Sequence, residues 1–168
     1  MFPPCGTGCT RNEVYDKVTK DIILKISGLQ LVPQDGEEQL EVITAGSYFQ
    51  RDGKHYIKYD EVTEGFSGST SNLIKINGDT LEVTKRGLTN AHMIFQENKK
   101  NMTYYGTPFG NLLVGISATN VDVREDENKI QVEVNYALEV NYEHLADCTI
   151  HMNIQPRSTD GPELSLFD

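Results

Sequence analysis

The segment "KIQVEVNYALEVN", residues 129–141, decides the fold class of this chain. Its apolar residues occupy alternate positions, from Ile130 through Val134 to Val140, and polar residues fill most of the positions between them. Because successive side chains of a β-strand point to opposite faces of the sheet, the segment predicts a strand with one buried face and one face in water. Such a strand is typical of an antiparallel sheet.

The same alternation continues on both sides of this segment, and short polar turns separate the runs. Asp52-Gly53 and Asn77-Gly78 are each typical of a two-residue hairpin turn, because these residue types tolerate a positive φ. The inner faces of the last and first strands are predicted to carry Cys148, Ile150, Met152 and Ile154, and Ile22, Leu24 and Ile26. The predicted strands are residues 18–28, 38–50, 54–62, 71–77, 79–86, 90–97, 101–106, 110–123, 129–141 and 145–155.

Consecutive strands joined by short turns pair with their neighbours and form a meander. Closure into a barrel covers both the apolar face and the two edges of such a sheet. We therefore predict an all-β fold, a single antiparallel meander β-barrel of about eight to ten strands over residues 18–155. Apolar positions are even-numbered up to Ala118 and odd-numbered from Val121, which predicts a β-bulge near residues 118–120.

The two ends of the chain do not share this pattern. Residues 1–17 form a predicted N-terminal extension, in which Thr10 and Glu13 match a capping box. Residues 11–17 are therefore either a short helical turn over one barrel mouth or a frayed segment. Residues 156–168 contain two prolines and a glycine and are predicted to be a flexible tail.

The composition limits the classes of function. The formal net charge is −10, and because an acidic surface repels phosphate, nucleic-acid binding is not expected. The longest apolar run, at residues 112–116, is far shorter than the roughly 20 residues of a membrane-spanning helix, so no membrane association is expected. The N-terminal segment lacks the basic and apolar regions of a secretory signal. We therefore expect a cytoplasmic protein.

Four segments together resemble the YwiB-like family of small bacterial proteins. They are Thr80–Gly87, "AHMIF" at 91–95, "YYGTPFG" at 104–110 and "IQVEVNYAL" at 130–138. The resemblance extends over roughly residues 18–155 and implies a calycin-type, lipocalin-like β-barrel in the cytoplasm. It implies no activity, because the family is a domain of unknown function. The chain has no tryptophan and so lacks the Gly-x-Trp signature of secreted lipocalins, whose retinoid or fatty-acid binding is therefore not implied.

The three cysteines, Cys5, Cys9 and Cys148, are an odd number without a secretion signal, which argues against a disulfide framework. Together with His151 they would supply the residue types of a zinc site. Cys148 and His151, however, are three positions apart on a predicted strand and point to opposite faces. We therefore predict no metal site, and we find no cofactor motif. Apolar surroundings raise the pKa of a thiol, so Cys148 is also a poor candidate nucleophile.

Arg86 is the first candidate for ligand binding. Regular alternation along Leu81, Val83 and Lys85 places Lys85 toward the core and Arg86 outside, unless Gly87 breaks the strand. Arg86 then either closes a barrel mouth or holds the anionic head group of a ligand in the barrel, and closure is favoured. A charge in the interior needs a partner in either case.

The block "YYGTPFG" at 104–110 has the composition of a glycine-rich ligand loop. A phosphate-binding loop opens onto a helix N-terminus, whereas a strand follows Gly110 here. The block therefore predicts a tight β-corner, in which Pro108 fixes φ and the glycines permit the reversal. Its residues Tyr104, Thr107 and Phe109 are candidates to line a pocket entrance.

Three functions remain open. The first is a noncatalytic module whose barrel binds a small, partly apolar or anionic ligand, with Tyr136 as a further candidate to line a polar cavity, although ordinary packing is favoured for that ring. The second is an interaction or scaffold protein that uses the acidic outer surface. An enzyme is least supported, because no nucleophile elbow, metal set or phosphate loop is found; a cavity joining Arg86, a histidine and a carboxylate would favour it. The oligomeric state is left open.

Overall fold

The computed structural model of the protein describes residues 20–29, 41–62 and 65–157. The predicted extension at residues 1–17 and the predicted tail from residue 158 onward lie outside these ranges. Within them, no helix is long and apolar enough to cross a membrane. The described strands are β1 Lys20–Ser27, β2 Glu41–Arg51, β3 Lys54–Val62, β4 Ser69–Asn77, β5 Thr80–Gly87, β6 Ala91–Gln96, β7 Lys99–Thr107, β8 Gly110–Glu125, β9 Ile130–Val140 and β10 Glu143–Pro156.

The strands form one antiparallel sheet in the order β6-β5-β4-β3-β2-β1-β10-β9-β8-β7. The first and last strands pair with each other, so that Ser27 lies opposite His151, and β6 and β7 become the two edges. Two backbone hydrogen bonds between Asn90 and Gly106, of 2.8 and 2.9 Å, join these edges at one end. The described strands therefore form a nearly closed meander barrel, which confirms the predicted all-β fold class.

The interior of the barrel is apolar along most of its length. On β9, Val134 is fully buried whereas its neighbour Glu133 is exposed, so the alternation predicted for residues 129–141 is confirmed. The inward positions predicted on β1 and β10 are confirmed as well, and burial of these side chains is the main source of stability. The largest fully buried side chains are Phe95, Leu24, Ile57, Ile74, Ile76, Leu81, Met93, Ile116, Ile150, Val83, Val114 and Val134.

Two predicted hairpins are present, and one of them has a different turn. Asp52 and Gly53 both have positive φ, of 53° and 77°, as the predicted two-residue turn requires. For the second hairpin, the predicted turn position at Asn77-Gly78 was wrong by one residue. Asn77 pairs with Thr80, so the turn residues are Gly78 and Asp79, and Gly78 has a φ of 61°. A glycine at the first turn position is what a type II′ hairpin selects.

The predicted β-bulge lies in β8. Asn135 of β9 is opposite Asn120, whereas the next residue, Tyr136, is opposite Ala118. Thr119 is therefore the extra residue, and it shifts the apolar positions from even to odd numbers as the sequence predicted. A bulge of this kind bends a long strand and increases its twist.

The two ends of the barrel carry different polar side chains. The Lys85 end contains Lys85 of β5 and Glu61 of β3, and the turn between β7 and β8 lies at its rim. The His55 end contains the turn between β2 and β3, His55 itself and Glu125 at the end of β8.

Candidate functional site

The alternation of β5 carries a lysine into the barrel. Leu81 and Val83 are fully buried, and Lys85, the next residue of the same face, is only 5% exposed. Arg86 follows on the outer face and is exposed. The sequence therefore placed both residues on the correct faces, and the interior cation is Lys85.

Lys85 is held by two side chains from the neighbouring strands. Its Nζ donates to Glu61 Oε1 at 3.1 Å and to Asn72 Oδ1 at 2.9 Å. Asn72 Nδ2 in turn donates to Glu61 Oε1 at 3.2 Å. These bonds compensate the buried ammonium, which would otherwise be strongly destabilising. A lysine has three N–H donors, and these are the two hydrogen bonds of Lys85 within the described residues.

Register explains why these side chains meet. Tyr59 of β3 lies opposite Asn72 of β4, and Asn72 lies opposite Lys85 of β5. Glu61 is two residues beyond Tyr59 and so shares its inward face. Its side chain is 30% exposed, which places the cluster at the mouth of the barrel and not at its centre.

Two tyrosines, Tyr59 and Tyr105, complete the polar cluster. Burial, and to a smaller extent the Glu61 carboxylate, raises the pKa of Tyr105 to about 12. The pKa of Tyr59 is also raised, chiefly by burial and then by Glu61 and Tyr105. Both hydroxyls are therefore protonated donors at neutral pH. Among the described residues, the side-chain atoms that are shielded from solvent and lack a hydrogen-bond partner are Asn153 Oδ1 and Gln155 Oε1, so the two hydroxyls are not buried, unpaired groups.

Aromatic side chains stand on the rim of this end. The rings of Phe66 and Phe109 meet edge to face with their centroids 5.8 Å apart. Phe109 lies in the turn between β7 and β8 and is 87% exposed. In that turn, the Thr107 hydroxyl donates to Gly110 O at 2.9 Å and accepts from Phe109 N at 3.1 Å. The tight corner predicted for residues 104–110 is present at this rim.

The other candidate residues lie apart from the cluster. Tyr104 is on the outer face of β7 and is 68% exposed, and Arg86 is exposed on the outer face of β5. Tyr136 is buried among apolar side chains, where its hydroxyl donates to Gly28 O at 3.0 Å and its ring contacts Phe95 edge to face. The structure thus brings Thr107 and Phe109 to one rim and separates them from Arg86, Tyr104 and Tyr136.

Sequence reasoning missed Glu61, Asn72, Tyr59 and Tyr105 as members of a site. The positions of Glu61, Tyr59 and Asn72 carried a usable signal, because each shares the parity of apolar inward residues on its strand. A polar residue at an inward position needs a partner, so two such residues on paired strands predict a buried polar contact.

A second polar chain lies at the His55 end. His55 is buried, and its Nδ1 is 2.7 Å from the Tyr48 hydroxyl, while its Nε2 is 3.4 Å from Glu125 Oε1. Arg86 pairs with Ser71 and His55 pairs with Ile76, five residues farther along β4. A histidine and a carboxylate therefore meet without Arg86, and the three-residue cluster that would favour an enzyme is not formed by these groups.

Cys148 and His151 lie on opposite faces of β10, as predicted. Cys148 is partly buried and contacts Tyr136, and burial raises the pKa of its thiol. His151 is exposed on the outside. Among the described residues, no group of three or more histidine, cysteine, aspartate or glutamate side chains is placed to hold a metal ion. Cys5 and Cys9 lie outside the described residues.

The fold and its interior define a small, nearly closed β-barrel protein. The family described as "Domain of unknown function (DUF1934)" matches residues 24–152, and the chain belongs to this family. It is 26% identical over 123 residues to the "Uncharacterized beta-barrel protein YwiB" of Bacillus subtilis (strain 168), a match that covers 71% of this chain and 85% of that protein. The crystal structure of that bacterium's ywiB protein superposes with a TM-score of 0.70 at 20% identity, covering 83% of this chain and 94% of the other, and supports the fold alone.

Proposed function

We propose that the protein is a noncatalytic binding protein that holds a small, partly apolar, anionic ligand at the Lys85 end of the barrel. The observation that carries this proposal is the buried Lys85 ammonium, which is paired with Glu61 and Asn72 in one cluster with the protonated hydroxyls of Tyr59 and Tyr105. A few convergent polar groups beside apolar and aromatic side chains are the usual lining of a small-molecule site.

The chemistry of this end favours an anion with an apolar part. The anionic group accepts from Lys85 and from the Tyr59 and Tyr105 hydroxyls, and charge-assisted hydrogen bonds of this kind are the strong ones. The apolar part packs on the rim against Phe66 and Phe109, which otherwise expose aromatic surface to water. Because apolar side chains fill the centre of the barrel, the ligand occupies the mouth and does not pass through the interior.

Binding, and not catalysis, is what the cluster supports. Lys85 is bound to a carboxylate and an amide, an arrangement that fixes a charge in place. A nucleophilic lysine instead needs a desolvated, unpaired amine or a neighbouring cation. The alternative function, an interaction protein that uses its acidic outer surface, remains a prediction, as do the calycin relationship and the cytoplasmic location.

The test uses anilinonaphthalene sulfonate, a fluorescent probe that is both anionic and aromatic. We expect saturable binding to one site on the folded protein. Lys85→Met keeps the length of the side chain and removes its charge, and it is expected to weaken binding about tenfold or more. Arg86→Met removes the neighbouring outward charge and is the matched control, with unchanged affinity expected.

Folding of each variant is checked by cooperative urea unfolding, because this probe also binds partly folded chains. Tyr105→Phe supplies a second variant, with a loss of about threefold expected from one neutral hydrogen bond. Equal affinity of the folded wild type and of both Lys85→Met and Tyr105→Phe would contradict the proposal. If Arg86→Met weakens probe binding as much as Lys85→Met does, the probe binds on the outer face and not at the Lys85 end.

A further inference from the structure

A groove of about 360 Å³ lies on the outer face of the barrel, away from the Lys85 end. It crosses β8, β9, β10, β1 and β2, where the long strands carry polar side chains outward. Its volume falls in the range of small-molecule sites. The floor consists of the backbone around Val132 and Met152, whose side chains point into the core.

The first of two rows of side chains across this groove is cationic at its ends and amidic in its centre. Arg124 lies opposite Gln131, Gln131 opposite Asn153, and Asn153 opposite Lys25. The amide oxygen of Asn153 is shielded from solvent and has no hydrogen-bond partner within the described part of the chain. An acceptor of this kind is a position that a donor from a bound molecule can satisfy.

The second row is acidic. Asp122 lies opposite Glu133, Glu133 lies opposite His151, and Glu41 closes the row on β2. Two carboxylates directly opposite each other on paired strands repel, and a cation between them removes that penalty. The Arg124 guanidinium lies beside Asp122, with its Nε 3.1 Å from Asp122 Oδ2. The two rows are two residues apart along the strands, which is about 7 Å.

The charges of the two rows restrict the ligand. An anion would be repelled by the acidic row, and a simple cation would meet Arg124 and Lys25 in the other. We infer that the groove binds a small zwitterion of amino-acid or dipeptide type. Its ammonium group lies against Glu133 and Asp122, and its carboxylate accepts from the Arg124 guanidinium, which presents several donors in one plane. This site is independent of the one at the Lys85 end.

Saturation-transfer NMR with the common free amino acids and glycyl dipeptides, at millimolar concentration, tests the inference. At least one zwitterion is expected to receive magnetisation from the protein. N-acetylation or C-amidation of that molecule removes one charge and is expected to weaken its binding about tenfold. Glu133→Gln and Arg124→Gln are expected to produce losses of the same size.

Asp60→Asn and Lys58→Gln on the outer face of β3 are the matched controls, because both residues are exposed and lie outside the groove. They and Lys85→Met are expected to leave binding unchanged, which separates this site from the proposed anion site. The inference is overturned if no zwitterion receives magnetisation, if the capped molecules bind equally well, or if the two groove variants bind as the wild type does.

Discussion

The two ends of the barrel differ in how their polar side chains are paired. At the His55 end, a phenol, an imidazole and a carboxylate form a chain from β2 to β8, so that the hydroxyl and both ring nitrogens have partners. At the Lys85 end, the ammonium, the amide and the carboxylate are paired with one another, but the hydroxyls of Tyr59 and Tyr105 have no partner within the described residues. A chain of polar groups that pair with each other serves the fold, whereas hydroxyl donors beside an ion pair at the mouth of the barrel indicate a place for a ligand.

The largest effect is expected from breaking the ion pair of the Lys85 end. Glu61→Leu leaves the buried ammonium without its carboxylate and is expected to lower the free energy of unfolding by about 3 kcal/mol. The double variant Glu61→Leu/Lys85→Met removes both charges and is expected to recover to within about 1 kcal/mol of the wild type. Urea unfolding followed by circular dichroism measures both.

The control for this comparison is Glu139→Leu. Glu139 pairs with Lys100 on the outside of the barrel at 2.6 Å, and exposed pairs contribute at most about 1 kcal/mol. If Glu61→Leu and Glu139→Leu have equal effects, the Lys85 cluster is as solvated as the surface, and the contrast between the two ends disappears.

Alkaline pH is expected to produce the next largest effect. Because the pKa of Tyr105 rises from 10.0 to about 12 on folding, the unfolded chain loses this proton first as the pH rises. The stabilisation is therefore fully present below pH 10 and is lost by about pH 12, and two pKa units correspond to about 2–3 kcal/mol. Urea unfolding across this pH range should show the decline, and Tyr105→Phe should make it shallower.

Tyr104→Phe is the matched control, because the neighbouring ring is exposed on the outer face of β7. Its pH dependence should equal that of the wild type. If the free energy of unfolding of Tyr105→Phe falls with pH as steeply as that of the wild type, burial and Glu61 do not raise the pKa of Tyr105.

The smallest effect compares single hydroxyls at the two ends. Tyr48→Phe removes the hydrogen bond to His55 and is expected to lower the free energy of unfolding by about 1 kcal/mol. Tyr59→Phe removes a hydroxyl that has no partner in the described residues, so its effect is expected to be near zero or stabilising. Thermal and urea unfolding compare the two variants. If Tyr59→Phe lowers the free energy of unfolding as much as Tyr48→Phe does, the hydroxyls at both ends make equally stabilising hydrogen bonds.

The fold could be predicted from the sequence because its signals are local. Alternation reports which face of a strand is buried, and the even-to-odd shift at Ala118 and Val121 located the bulge at Thr119. The same parity placed Lys85 inside and Arg86 outside. Each of these inferences needs only the residues of one strand.

The cluster could not be predicted because it depends on register between strands. A turn at Asn77-Gly78 would place Lys85 opposite Thr70, whereas the actual turn at Gly78-Asp79 places it opposite Asn72. An error of one residue in a turn thus changes the cross-strand partner by two positions. The outer groove is less predictable still, because its two rows combine the registers of β8, β9, β10, β1 and β2.

The pairing of β1 with β10 has a consequence for the order of folding. Most of the other ladders join neighbours in sequence and form as local hairpins, whereas Ser27 and His151 belong to opposite ends of the barrel sequence. Closing so long a segment of chain carries a larger entropic penalty than closing any hairpin turn. The rate-limiting event is therefore expected to be the docking of the first strand onto the last, with the meanders β2 to β6 and β7 to β10 already formed when the two are joined.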